Sequence, residues 1–392
     1  MAKVYAFQSF NMAAFDLSTL VTAATDDDFS DNANQKLNGV TYQDVAAFEY
    51  FDGGYRTAYF GGTGFTFSAQ GQVQGGTVTG VAEFSGHIGD LSAPAFIFQG
   101  ISVAASTLAG AAATPSTTDD FAIISSILSG NDTFYLSDQS DLAGGFGGND
   151  TMYGNGGLDY LSGGKGNDTL LGGDGNDYLS GDEGGDILKG GNGKDFAVYV
   201  SAGAGVTVDL GVAAAQDTIG AGKDTLVSIE NLTGSKHADH LSGNGRANVL
   251  TGAGGTDVLT GRDGNDTLLG GDGHDKLKGG AGADAFVFSS LKGGDSDVIS
   301  DFRHSQHDVI RLDHAIFAGL TNTAGTAISS DAFRSGAGVT AAHDASDRMV
   351  YDTSTGKLYY DADGSGSITA VLVAQLGAST HPALAAGDIL TF

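Results

Sequence analysis

The sequence predicts a mainly β protein whose centre is a solenoid of tight turns and very short strands. Three observations carry this. Residues 145–198 repeat every nine residues, the second half reading GGKGNDTLL, GGDGNDYLS, GDEGGDILK, GGNGKDFAV. An aspartate and an apolar residue keep that phase. Glycine supplies 64 of 392 residues against 3 prolines, with no three-residue period, which excludes collagen.

The aspartates at the sixth position of successive units are Asp132, Asp141, Asp150, Asp159, Asp168, Asp177, Asp186 and Asp195. Leu161, Leu170, Leu179 and Leu188 follow theirs by two residues. After an interruption the phase returns in Asp239, Asn248, Asp257, Asp266, Asp275 and Asp284, with Leu241, Leu250, Leu259, Leu268, Leu277 and Phe286 at the apolar position. Nine residues fit neither a 3.6-residue helix nor a long strand of period two, so each unit is one turn plus one short strand. Glycine makes the turn, at a cost of about 0.5–1 kcal/mol per residue relative to alanine inside regular structure. Stacking places the apolar residues in a ladder, and each unit takes its core from its neighbours. Flexible Gly/Asp linkers would keep neither phase nor ladder.

Stacked strands lie about 4.7–4.9 Å apart, so aspartates of neighbouring turns crowd together. Like charges about 4 Å apart repel by about 1 kcal/mol in water and by more where water is excluded. A cation makes the arrangement stable. Oxygen ligands without cysteine or clustered histidine are hard, which indicates calcium.

The units GGKGNDTLL and GGDGNDYLS resemble the GGxGxDxUx nonapeptides of the RTX, or haemolysin-type calcium-binding, proteins. The resemblance implies a right-handed parallel β-roll in two blocks, with two nonamers per coil and several calcium ions between turns eighteen residues apart. Transferred residue by residue, Asp150 shares an ion with Asp168, Asp159 with Asp177, Asp168 with Asp186 and Asp177 with Asp195. In the second block Asp239 pairs with Asp257, Asp257 with Asp275 and Asp266 with Asp284. Carbonyls of the turn glycines complete each shell: Gly163, Gly164 and Gly166; Gly172, Gly173 and Gly175; Gly190, Gly191 and Gly193; and then Gly261 and Gly264; Gly270, Gly271 and Gly273; Gly279, Gly280 and Gly282. Asn248 replaces the aspartate of its unit, and Asp132 and Asp141 lie in units without the glycine pattern.

Taken in order, residues 1–115 form a β-rich domain with an aromatic core of its own. Alternation in GFTFSAQGQVQGGTVTGVAEF reads as a hairpin or meander, with Gly71 and the pair Gly75 and Gly76 as turns. The phrases GGTVTGV and FQGISVAASTL resemble the leading region of many RTX-type proteins. Residues 116–130 read as a short capping helix, its apolar face formed by Phe121, Ile124 and Ile127 or Leu128. The first roll covers 131–198, a β insertion of widened coils 199–233, and the second roll 234–287. Residues 288–392 resemble the C-terminal β cap and export region of serralysin-type and related RTX proteins. Asp388 and the ending Ile389, Leu390, Thr391 and Phe392 are similar to an uncleaved type I secretion signal, Thr391 departing from a purely apolar tail.

Net charge is -29, from 47 acidic and 18 basic residues, which argues against binding a nucleic-acid backbone. With 0 cysteines there is neither disulfide nor thiol chemistry. No run of 18 apolar residues predicts a transmembrane span, and the start lacks the pattern of a Sec signal peptide. The family resemblance implies export by a type I apparatus, the repelling repeats staying unfolded in low-calcium cytosol and folding on extracellular calcium.

Two local constellations stand apart. Asp361, Asp363, Ser365, Gly366 and Ile368 match the first part of an EF-hand loop, but Leu372 stands where a bidentate glutamate belongs, so a plain hairpin turn is the favoured reading. His304, His307 and His314 are close in sequence without zinc-ligand spacing and read as solvated positions at a strand edge.

Neither HExxH, GxSxG, P-loop nor Rossmann fingerprint is present, and no catalytic residue is assigned. The reading is a secreted, extracellular calcium-binding protein acting as a structural, adhesive, surface-layer or matrix module, partnered by a surface component or by itself. The alternative is a polysaccharide lyase or hydrolase in the N-terminal domain, drawing on Tyr50, Tyr55, Arg56, Tyr59, Glu83 and His87, with the repeats serving export and folding. The proportion of scaffold to chemistry favours the first.

Overall fold

The structure, a computed structural model, describes residues 125–126, 128–291, 296–377 and 381–392, and the backbone of strands within residues 3–104. The chain divides into two compact units, Met1–Asp195 and Phe196–Phe392.

In the first unit the backbones of Ala24–Ser30, Asp44–Phe51, Tyr55–Phe67, Val73–Ser85 and Pro94–Ala104 pair antiparallel in that order. The strand Lys3–Ala6 pairs antiparallel with Pro94–Ala104 and parallel with Thr133–Tyr135, the first strand of the roll. Gly75 and Gly76 were expected to turn the chain; they lie inside Val73–Ser85, where irregular register at Thr66 absorbs them. Gly71 and His87 fall outside the described residues, as do the side chains of Tyr50, Tyr55, Arg56, Tyr59 and Glu83. The capping helix expected over 116–130 falls there too, apart from a helical Ser125 and Ser126 and a buried Leu128.

From Thr133 each nonamer contributes one strand, and successive strands alternate between two sheets. Thr133–Tyr135, Thr151–Gly156, Thr169–Asp174 and Ile187–Asn192 pair in parallel, as do Leu142–Gly144, Tyr160–Lys165 and Tyr178–Glu183. Side chains alternate in and out with period two. Phe134, Met152, Leu170 and Leu188 form one buried column, and Ala143, Leu161 and Leu179 face it. Burying one leucine contributes about 1.5–3 kcal/mol, which no isolated nonamer could gain.

The second unit opens on Phe196–Val198, which pairs in parallel with Asn231–Thr233, then Val249–Gly255, Thr267–Gly273 and Ala285–Phe288. Its other sheet runs from Thr207–Asp209 through His240–Ser242, Val258–Asp263 and Lys276–Ala281. The insertion is a widened coil: Val206 and Asp239, 33 positions apart, are hydrogen-bonded neighbours. Within it Gln216–Asp217 folds back antiparallel on Lys223–Val227.

The solenoid outlasts its repeats. Asp297–Ile299 and Val371–Leu376 extend one sheet, and Val309–Leu312 and Ile389–Thr391 the other, all in parallel. The apolar columns continue as Phe286, Ile310 and Ile389, and as Leu277, Ile299 and Leu376, all buried. Thr391 is also buried and accepts from Asn322 Nδ2 at 2.9 Å, so its hydroxyl is matched inside the fold. Lys357–Tyr360 pairs antiparallel with both Val371–Leu376 and Met349–Asp352.

Candidate metal centres

Parallel stacking sets each sixth-position aspartate over its counterpart one coil away. The backbone N–H of Asp150 donates to Oδ1 of Asp168 at 2.7 Å, Asp159 to Asp177 at 3.0 Å, Asp168 to Asp186 at 2.8 Å and Asp177 to Asp195 at 2.9 Å. Asp239 donates to Asp257 at 2.8 Å, Asp257 to Asp275 at 2.8 Å and Asp266 to Asp284 at 2.9 Å. The columns begin earlier than the glycine pattern does, because Asp132 donates to Asp150 and Asp141 to Asp159 in the same way. All these aspartates are buried.

Most of them keep a second oxygen that the stacking does not use. Oδ2 of Asp150, Asp159, Asp168, Asp177, Asp257, Asp266 and Asp284 is enclosed without a hydrogen-bond donor. Each points at the Cα of the glycine five residues earlier. A methyl group on Gly145 would strike both Oδ2 of Asp150 and the carbonyl oxygen of Gly163. The same holds for Gly154 with Asp159 and Gly172, Gly172 with Asp177 and Gly190, Gly252 with Asp257 and Gly270, and Gly261 with Asp266 and Gly279. Carboxylate and carbonyl oxygens thus converge on small cradles that only glycine leaves open. Such a donor set fits a hard cation of calcium type.

Burial pushes the carboxyls of Asp150, Asp159 and Asp257 up to about 7 and those of Asp266 and Asp284 up to about 6. Asp168 and Asp177 are raised for the same reason. The amide of the preceding coil pulls each one down by less than burial raises it, and facing carboxylates add to the rise. A bound divalent cation would reverse this balance.

The glycines named from the repeats divide by position. Gly163, Gly172, Gly190, Gly270 and Gly279 present carbonyls to the cradles; the carbonyl of Gly261 lies by the Asn248 amide. Gly164, Gly173, Gly191, Gly271 and Gly280, with Gly166, Gly175, Gly193, Gly264, Gly273 and Gly282, hold positive φ and sit against the carbonyl eighteen residues upstream. At Gly175 (φ 140) a Cβ would overlap the carbonyl of Gly157, so conformation and space both demand glycine.

Three stations differ. At Asp141 the N–H and Oγ of Ser137 donate to Oδ2 at 2.9 and 2.8 Å. Asp239, expected to share an ion with Asp257, has both oxygens engaged: Ser235 N–H on Oδ2 at 2.6 Å, and Val206 N–H at 2.7 Å and Ser235 Oγ at 3.0 Å on Oδ1. The widened coil brings Val206 where a nonapeptide turn would stand, while Ser235 occupies the second-glycine position of Asp239's own unit. At Asn248 the side-chain amide donates to the carbonyl of Glu230 at 2.6 Å and accepts from Asn244 N–H at 2.8 Å. Arg262 covers the carbonyl of Gly243 at 2.8 Å and pairs with Asp209.

Counting nonamers misses Asp297 and Asp308. Asp275 N–H donates to Asp297 Oδ1 and Asp284 N–H to Asp308 Oδ1, both at 3.1 Å, across spacings of 22 and 24 residues. The retained signal is an aspartate two residues before a buried isoleucine, Ile299 or Ile310. Asp301 accepts the amides of Gly279 and Gly280 at 3.0 Å, again outside the period. A fifth-position asparagine ladder also escaped notice: Asn131 accepts from Asn149 N–H at 2.7 Å, and Asn149 from Asn167 at 2.8 Å.

Elsewhere, His304, His307 and His314 are all exposed; His304 Nδ1 lies 2.6 Å from Asp388 Oδ1 and His307 ends a 3-10 turn at φ 67. Asp361 and Asp363 lie in the loop of the antiparallel hairpin Lys357–Tyr360 and Val371–Leu376, in which Leu372 faces Tyr359. No helix among the described residues is long and apolar enough to cross a membrane, which says nothing of β-barrels.

A family model agrees with this geometry. The family model of the RTX calcium-binding nonapeptide repeat (4 copies) matches residues 128–161, 144–179, 162–197, 233–268 and 260–289. No curated protein matches the chain. Among solved structures, the chain is similar to the solution structure of the AlgE6R3 subunit of the Azotobacter vinelandii mannuronan C5-epimerase, at 26% identity over 40% of this chain and 78% of that one, with a TM-score of 0.24. The two blocks of stacked nonamers, within residues 128–197 and 233–289, are therefore RTX calcium-binding nonapeptide repeats.

Proposed function

We propose that the protein is a secreted module that folds on extracellular calcium and serves a structural, adhesive or surface-layer role outside the cell. The observation that carries the reading is the column of enclosed, donor-free Oδ2 atoms at Asp150, Asp159, Asp168, Asp177, Asp257, Asp266 and Asp284. The proposed ligands are these carboxylates, together with Asp186, Asp195 and Asp275 and the facing glycine carbonyls. Without a cation, burying so many carboxylates opposes folding, and the chain remains extended enough to thread a type I export channel. Extracellular modules bind calcium with Kd values of about 10⁻⁴–10⁻³ M, so export itself becomes the folding signal. The net charge of -29 suits a polypeptide whose counter-ions await it outside.

The test is circular dichroism and light scattering of the full chain during a calcium titration, with magnesium as control. A cooperative, calcium-specific gain of β signal with growth of large particles supports the structural role. Folding equally well in magnesium or chelator would overturn the calcium trigger, and a persistent monomer would overturn self-assembly.

A further inference from the structure

We propose a further calcium site, separate from the aspartate columns, formed where the loop bearing Asp361 and Asp363 meets the loop bearing Asp347. Asp361 is 2% exposed and its Oδ1 is enclosed with no hydrogen-bond donor. Oδ1 of Asp363, two residues on, is in the same condition. An enclosed carboxylate oxygen lacking a donor destabilises a fold unless something cationic meets it.

Neighbouring amides of the second loop gather the carboxylates. Asp361 Oδ2 accepts from Ala342 N–H at 3.4 Å, and the next amide, His343, donates to Asp347 Oδ2 at 2.7 Å. Asp347 is also buried. Two further bonds hold the loops together: Asp361 N–H to the carbonyl of Arg348 at 2.8 Å, and Ser365 N–H to that of Asp344 at 3.1 Å.

Arg348 borders this group and leaves these oxygens unmatched, its own Nε being enclosed without an acceptor. Its Nη1 donates to the carbonyls of Ala345 and Asp347, at 2.7 and 2.8 Å. Asp344, exposed and hydrogen-bonded by Ser346, borders the cluster, and His343 and Asp344 place ligand atoms within 4.8 Å of Asp347.

The spacing of Asp361, Asp363 and Ser365 is that of the first, third and fifth ligands of an EF-hand loop. Leu372, at the twelfth position, is in a strand opposite Tyr359, so the loop cannot supply its own final carboxylate. The ligand we assign to that place is Asp347 of the other loop, whose oxygens group with His343 and Asp344 in this structure and turn toward Asp361 when the ion binds. The ion is thereby shared between two segments and fastens them.

The test counts calcium ions on the full calcium-loaded chain by native mass spectrometry, comparing wild type with Asp361→Asn/Asp363→Asn and with Asp257→Asn. The double variant is expected to carry one ion fewer while the β signal is kept. Tyrosine-sensitised terbium emission, favoured by the adjacent Tyr359 and Tyr360, should fall in parallel. If it misfolds, the single variant Asp347→Asn gives the same readings. An unchanged ion count and emission in these variants overturns the proposal, and if Asp257→Asn still loses ions, the column reading stands without it. Asp257→Asn binding as many ions as wild type would instead count against the columns.

Discussion

The backbone N–H of Asp150 donates to Oδ1 of Asp168 at 2.7 Å, while Oδ2 of Asp168 is enclosed with no donor. One carboxylate thus joins two coils and leaves one oxygen for a cation. The two tasks can be separated by substitution.

Asp168→Ala removes both the bond and the oxygen. It should destabilise the calcium-loaded chain by about 1–3 kcal/mol and raise the calcium midpoint seen by circular dichroism. Asp168→Asn retains an acceptor for Asp150 and should shift the midpoint with less loss at saturating calcium. Equal midpoints for wild type and both variants would count against the ligand role.

Acidity should act oppositely on the calcium-free and calcium-bound forms. Folded Asp150, Asp159 and Asp257 lie at about 7 and Asp266 and Asp284 at about 6, above the ordinary unfolded value of about 3.9. The folded chain therefore binds more protons between these limits, and without calcium its stability is greatest near pH 4 and declines as pH rises through 6 to 7. Calcium must displace those protons, so its affinity should fall below pH 7. The β signal by circular dichroism in chelator at pH 5 and pH 8, beside calcium titrations at both, reads the two signs.

Gly175→Ala places a methyl group against the Gly157 carbonyl at φ 140. A loss of about 1–3 kcal/mol is expected from backbone strain alone. Thermal unfolding in saturating calcium measures it, with exposed, unstrained Gly203→Ala as control.

Asn248→Asp should not create a working station at no cost. The carboxylate would face the Glu230 carbonyl that the amide now satisfies at 2.6 Å. At limiting calcium, stability should drop by about 1–3 kcal/mol, and the second block should become more dependent on calcium. Denaturation at limiting and at saturating calcium tests this.

The repeat makes much of the site legible in the sequence. Asp159 and Asp177, or Leu170 and Leu188, keep phase because each coil must present the same atoms to the next. Where a coil changes length, that phase carries no information. Asp297 and Asp308 join the columns at spacings of 22 and 24, and Asp239 meets Val206 rather than a nonapeptide turn. Gly75 and Gly76 read as a turn because local sequence cannot register an irregular strand pairing.

The sequence by itself determined the mainly β class, the nine-residue unit, the inward leucines and the carboxylate columns, since all are local chemistry repeated in stack. Only the tertiary structure decided which oxygens remain for an ion. Whether Asp239 or Asn248 is already satisfied depends on Val206 and Glu230, which the widened insertion brings in from outside the repeat, and on Ser235 and Arg262, which stand at second-glycine positions within it.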